Sequence, residues 1–158
     1  IYEGTNTIQS LDLLGRKVLG NQGATLKKFG KLVGQLVAEE GVNEKMAEFI
    51  NPIAILGEQM TKFTTEIGFK GMQNPDEVGA AAVDYLRVAG HLVFGYLFAR
   101  MAQVSLRAIA NGSTDPFYTA KLQTARFYFA KLFPETVLLM RTARAGSKVL
   151  MDTDAALA

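Results

Sequence analysis

The chain has 158 residues, 49% hydrophobic and 20% charged, which suits a globular fold with a real core and excludes disorder. Its net charge of +2 is too small for a nucleic-acid surface, and with no cysteine it has no disulfides, thiolate chemistry or cysteine metal sites. The missing cysteines are compatible with a reducing compartment, so the cytoplasm is the expected location.

The first apolar stripe, Ile8, Leu11, Leu14 and Val18, follows helical spacing until Gly20-Asn21-Gln22-Gly23, and predicts a helix from Asn6 to Leu19. Leu26, Phe29, Val33 and Leu36 predict a second, from Ala24 to Glu39; Gly30 and Gly34 within it are read as close approach of a neighbouring helix. In the third, Met46, Phe49, Ile53, Leu56, Met60, Phe63 and Ile67 alternate spacings of three and four, the pattern of a bundle seam. Pro52 predicts a kink near Glu48 to Asn51.

Asn74-Pro75-Asp76-Glu77 combines an Asn cap, a first-turn proline and a capping-box Glu. A fourth helix should run from there to Ala110, on the order of 50 Å at 1.5 Å per residue, and stop at Asn111-Gly112. Val88 to Ala99 is its longest uncharged apolar run, too short to cross a bilayer, and is read as a buried segment or one covered by a partner subunit. Asp115-Pro116 starts a fifth helix with Tyr118, Leu122, Ala125, Phe129 and Leu132 as its stripe. Pro134-Glu135 starts a sixth, continued by Val137, Leu138, Arg141 and Ala145 to Met151. No β-alternation or repeat occurs, so the expected fold is all-α, an up-and-down bundle of five or six helices with one long helix central.

The chemistry-bearing stretch is Ile1-Tyr2-Glu3-Gly4-Thr5-Asn6-Thr7-Ile8-Gln9, followed at once by an amphipathic helix. Read on its own, Glu3 complements a helix dipole and Thr5 caps the helix. The stretch also resembles the catalytic-glutamate segment of the acyl-CoA dehydrogenases, and Leu11-Asp12-Leu13-Leu14-Gly15-Arg16-Lys17 is similar to the continuation in a longer bacterial branch with an extra C-terminal helical domain. That branch includes enzymes acting on thioether-containing and on plain fatty acyl-CoAs. The resemblance implies that Glu3 is the base for the α-proton of an acyl-CoA, that Gly4 touches the substrate and that Thr5, Asn6 and Thr7 touch FAD. It further implies a homo-oligomer that passes electrons to an electron-transfer flavoprotein or similar acceptor.

In this light residues 1–20 are the end of a catalytic region and 21–158 a C-terminal helical bundle domain, the chain being a piece of a longer protein and inactive alone. The competing reading is a helical packing or oligomerisation module without chemistry. Ser10 and Gly15 stand where smaller family members often have arginines, so no CoA contact is carried over to them. Neither nucleic-acid binding nor membrane insertion is expected, and no metal pattern occurs.

Other residues with chemical potential have simpler structural readings. His91, the single histidine, lies among Leu92, Val93 and Phe94 and reads as a satisfied core residue, since no carboxylate lies one helical turn away. Lys27, Lys28 and Lys31 read as a solvated face, Glu39-Glu40 as solvated acids, and the aromatic set Phe117, Tyr118, Phe127, Tyr128, Phe129 and Phe133 as core.

Overall fold

The computed structural model describes residues 4–152, and all regular structure among them is helical. The elements are α1 (Asn6–Leu11), α2 (Ala24–Glu40), α3 (Ala47–Gln73), α4 (Asp76–Ala110), α5 (Pro116–Phe127), α6 (Glu135–Ala143) and a single turn, α7 (Lys148–Met151). The chain divides into two compact units, and α2, α3 and α4 contribute residues to both. Unit 1 holds residues 1–27, 60–89 and 136–158; unit 2 holds 28–59 and 90–135.

In unit 1, α3 and α4 are antiparallel across the two-residue link Asn74–Pro75. Gly71 lies against Val78, and Phe63 stacks on Tyr85 at 5.8 Å. A Cβ on Gly71 would come within 2.5 Å of Val78 Cγ2, so this close crossing requires glycine. Thr64 Oγ1 donates to the Met60 carbonyl at 2.7 Å, which leaves Tyr85 as donor in the 2.7 Å bond between the two hydroxyls. Burial pushes the Tyr85 phenol up to about 12. α6 returns antiparallel to α4, with Thr142 donating to Asp84 at 2.6 Å and Arg144 Nε to Glu66 at 2.8 Å.

In unit 2, Phe29 meets Tyr96 edge-on at 5.6 Å while Glu40 reaches Gln103, so α2 and α4 run parallel. Arg126 pairs with Glu48 at 2.9 Å and Phe129 meets Phe49 at 5.5 Å, so α5 runs with α3. The result is an up-down-up-down four-helix bundle. Every residue of the α3 seam, from Met46 to Ile67, is at least 96% buried, as its spacing requires. α4 feeds both cores, with Ala81, Ala82, Tyr85 and Val88 in unit 1 and Leu92, Ala99 and Ala102 in unit 2.

The end signals of α4 and α5 act largely as their chemistry dictates. The Asp76 N–H donates to Asn74 Oδ1 at 3.1 Å and the Phe117 N–H to Asp115 Oδ1 at 2.8 Å. α4 closes on Gly112 at φ +87°, with the Ser113 N–H donating to the Ala108 carbonyl and the Gly112 N–H to that of Ile109, a Schellman ending. Glu77 does not close a capping box. Its carboxylate instead accepts from the N–H and hydroxyl of Ser147, at 2.9 and 2.6 Å.

Several expectations are corrected. Gly30 and Gly34 face open space rather than a neighbouring helix. The sixth helix ends at Ala143 because Gly146 turns at φ +80°, and it buries Thr136, Leu139, Met140 and Ala143 while Val137 and Leu138 are exposed. Of Val88 to Ala99, the residues Val88, Leu92 and Ala99 are buried within the chain, while Val93, Phe94 and Leu97 form the exposed face that the expectation left to a partner subunit. After α5 a π-helical stretch, Tyr128–Leu132, delays the phase, so Phe133 faces the core in place of Leu132.

Candidate functional site

Glu3 lies outside the described residues. Gly4, Thr5, Asn6 and Thr7 are exposed where α1 begins. Thr5 occupies the N-cap position at φ −99° and ψ −21°, but its side chain makes no capping bond, so the capping role expected of it is not observed. Its carbonyl accepts the first helical bond, from the Gln9 N–H at 2.9 Å. The first-turn amides and the hydroxyl and amide groups of Thr5, Asn6 and Thr7 thus stand together on an accessible helix start. These are the unpaired donors that the start of any helix presents.

The helix that carries them changes winding, because Asp12–Val18 is π-helical and Leu19–Asn21 closes as a 3-10 turn. Bonding from i to i+5 brings Lys17, as well as Arg16, against Asp12, the Lys17 Nζ lying 2.9 Å away. Hydrogen bonds from Arg16 and then Lys17 hold the Asp12 carboxyl at about 2. Arg16 is therefore engaged on its own helix. Ser10 is fully buried and donates to the Thr7 carbonyl at 2.7 Å, which anchors the first turn from beneath. The altered winding leaves Ile8 and Leu11 exposed while Leu14 and Val18 are buried.

Two polar clusters lie in unit 2. His91, 14% exposed, places Nδ1 2.9 Å from the Tyr128 hydroxyl and Nε2 3.1 Å from Glu135 Oε2. It is a satisfied histidine, but the carboxylate that orients it sits 44 residues away at the start of α6, beyond the reach of any one-turn spacing rule. Burial, then the charge of Glu135, raises the Tyr128 phenol to about 12 and keeps it a neutral hydrogen-bonding partner.

The second cluster centres on Glu40, which is buried rather than solvated. Its carboxylate accepts from Gln103 and Arg107, each at 2.6 Å, and from Asn43 at 2.8 Å. Gln103 and Arg107 lie one turn apart on α4, a spacing that was visible, but nothing in it pointed to an acid 63 residues away. Lys27, Lys28 and Lys31 are exposed, and no group of three or more potential metal ligands occurs among the described residues.

An all-α chain with a polar helix start at one end is a common class. Comparison with known proteins makes it specific. Residues 24–154 match the family model described as acetyl-CoA dehydrogenase C-terminal like, and the chain belongs to that family. It is 32% identical over 139 residues to 3-methylmercaptopropionyl-CoA dehydrogenase of Ruegeria pomeroyi, covering 85% of this chain and 23% of that protein. It is 26% identical over 159 residues to a butyryl-CoA dehydrogenase of Syntrophomonas wolfei, covering 96% and 25%. With a broad-specificity linear acyl-CoA dehydrogenase of Mycobacterium tuberculosis it shares 23% over 166 residues, covering 99% and 27%. The chain spans about a quarter of the length of these relatives.

Proposed function

We propose that the chain forms the catalytic-base end and the C-terminal helical domain of an FAD-dependent acyl-CoA dehydrogenase, which introduces the α,β-double bond of an acyl-CoA thioester. One observation carries the reading: the stretch Ile1 to Gln9 leads, within a single chain, into a domain whose family match begins at Ala24. Residues 1–20 then close the catalytic region, 21–158 form the appended domain, and the chain alone is inactive.

The α-proton of a thioester is weakly acidic, so its removal needs a base held close, aimed, and shielded from water. Glu3 takes that proton. Gly4 lets the backbone approach the thioester where a side chain would clash. Thr5, Asn6 and Thr7 hold the flavin through the exposed amides and hydroxyls at the start of α1. When bound, the flavin supplies the acceptor for the β-hydride. Ser10 steadies that turn through its bond to Thr7, and Asp12 with Arg16 and Lys17 fixes the following winding.

The same reading gives an acyl-CoA as substrate, an electron-transfer flavoprotein or similar protein as acceptor, a homo-oligomer, and a cytoplasmic location. In the full-length enzyme, Glu3→Gln keeps the size of the side chain and removes the base. Acyl-CoA-driven flavin reduction should fall by roughly 10²–10⁴-fold or more. Reduction near the parent rate would assign the base elsewhere.

A further inference from the structure

We propose that His91, Tyr128 and Glu135 form a proton-reversible joint between α4 and the start of α6. In it the Tyr128 hydroxyl turns over as His91 gains or loses a proton, so that the cluster stays fully bonded in both states. Three distances carry the inference. Glu135 Oε2 lies 3.1 Å from Nε2 of the ring, the Tyr128 oxygen 2.9 Å from Nδ1, and the same Tyr128 oxygen 3.4 Å from the carbonyl oxygen of His91 itself. A phenol has one proton to give and lone pairs to receive, and here it stands between an atom that changes role on protonation and one that only accepts.

The carboxylate fixes the starting state. Glu135 as a carboxylate only accepts, so Nε2 carries the ring proton of neutral His91, and Nδ1 presents a lone pair to which Tyr128 donates. When a proton from solvent binds at Nδ1, the new N–H donates to the Tyr128 oxygen and the Tyr128 O–H rotates to the His91 carbonyl. One N–H bond forms, no covalent bond of the protein breaks, and the ring gains a positive charge opposite Glu135. Tyr128, whose phenol is raised by burial to about 12, keeps its own proton throughout. Glu135 is the first residue of α6, so the bond it keeps with His91 in both states holds that helix start on α4.

The surroundings suit a joint rather than a ligand site. Both ring nitrogens are already engaged, Phe133 meets the imidazole edge-on at 6.5 Å, and Phe98 stacks on Tyr128 at 4.3 Å. Among the described residues, the titratable groups that face the ring are Glu135 from α6 and Tyr128 from the stretch after α5. Along the chain, Arg87 lies one turn before His91 on α4 and Lys131 four residues before Glu135. None of the residues assigned to the chemistry takes part, so the joint stands or falls independently of the dehydrogenase reading.

The test uses the whole chain, in which His91 is the single histidine and its imidazole signals are unambiguous. Nitrogen and carbon spectra of the imidazole at pH 8 should show the Nε2–H tautomer. Urea unfolding of the parent and of Tyr128→Phe is then compared at pH 8 and pH 5, the range in which a histidine ordinarily changes charge. Phenylalanine keeps the ring and removes the hydroxyl, which leaves a lone pair unmet at pH 8 but a charged N–H unmet at pH 5. Relative to the parent, the folding constant of the variant should therefore fall about tenfold further at pH 5 than at pH 8, since a charge-assisted bond is roughly twice as strong as a neutral one. The Nδ1–H tautomer in the parent at pH 8, or a loss in Tyr128→Phe that is equal at the two pH values or smaller at pH 5, would overturn the proposal. Should the variant fold poorly, the parent decides through its tautomer and its Tyr128 hydroxyl proton. That proton should be protected from exchange at both pH values, and loss of its protection at pH 5 would equally overturn the joint.

Discussion

Gly30 and Gly95 both sit inside helices, but they meet different surroundings. A Cβ at Gly30 or Gly34 would touch nothing, whereas one at Gly95 would lie 2.7 Å from Phe133 Cε2 and 3.0 Å from Ile53 Cγ2. Alanine should therefore stabilise at positions 30 and 34 by about 1 kcal/mol each through helix propensity. At Gly95 overpacking, about 1–3 kcal/mol, outweighs that gain and should lower the melting midpoint. Thermal melts of the Gly30→Ala/Gly34→Ala and Gly95→Ala variants check this; shifts of the same sign would refute it. Sequence spacing could not separate the two cases, since a glycine records missing volume without saying what fills it. The same blindness hid Glu40. Burial pushes its carboxyl up, but the hydrogen bonds from Gln103, Asn43 and Arg107 outweigh this and hold it below its ordinary 4.5. A depressed folded-state pKa gives a stabilisation that is full above pH 4.5 and is lost as pH falls below it. Glu40→Ala should cost about 2–3 kcal/mol at pH 7 by stranding its donors. The gap between variant and parent should narrow at acid pH, as urea midpoints at pH 7 and pH 4 would show. A constant gap would mean that Glu40 contributes packing and no charge.

Among the elements, α4 tests how far an apolar run predicts burial. Leu92 is 2% exposed and Leu97 53%, although they stand one residue over a turn apart in the same uncharged run. Leu92→Asp places an unpaired charge in the unit 2 core and should abolish cooperative folding. Leu97→Asp should change stability by no more than about 0.5 kcal/mol, the usual range for an exposed site. Circular dichroism melts separate them, and equal effects would mean that the exposed face of α4 is covered in solution. Helix existence, the α3 seam and the cap signals at Asn74 and Asp115 were legible because each rests on local periodicity or local hydrogen bonding. Phase was less so. The π-helical stretches Asp12–Val18 and Tyr128–Leu132 each delay the rotation, exposing Ile8 and Leu11 and exchanging Phe133 for Leu132, which a 3.6-residue period cannot anticipate. On α6 the inward face follows Thr136, whose hydroxyl gave it no place in an apolar stripe.

For the whole molecule, the family was legible from nine contiguous residues and the fold from periodicity, but the polar clusters were not. His91 with Tyr128 and Glu135 is assembled from three helices, and its partners are chosen by topology rather than by spacing. The proposed reading divides function along the chain in the same way, with chemistry assigned to Glu3 to Thr7 and packing to the helices beyond. The direct measurement is α-deuterium washout from acyl-CoA labelled at the α-carbon, on full-length parent and Glu3→Gln enzymes whose ligand affinities are measured alongside. The parent should exchange the label. The variant should bind flavin and acyl-CoA nearly as tightly while exchange and flavin reduction fall together by roughly 10²-fold or more, because a base acts mainly in the transition state. Exchange at the parent rate in Glu3→Gln would contradict the assignment of the base and the division of function built on it.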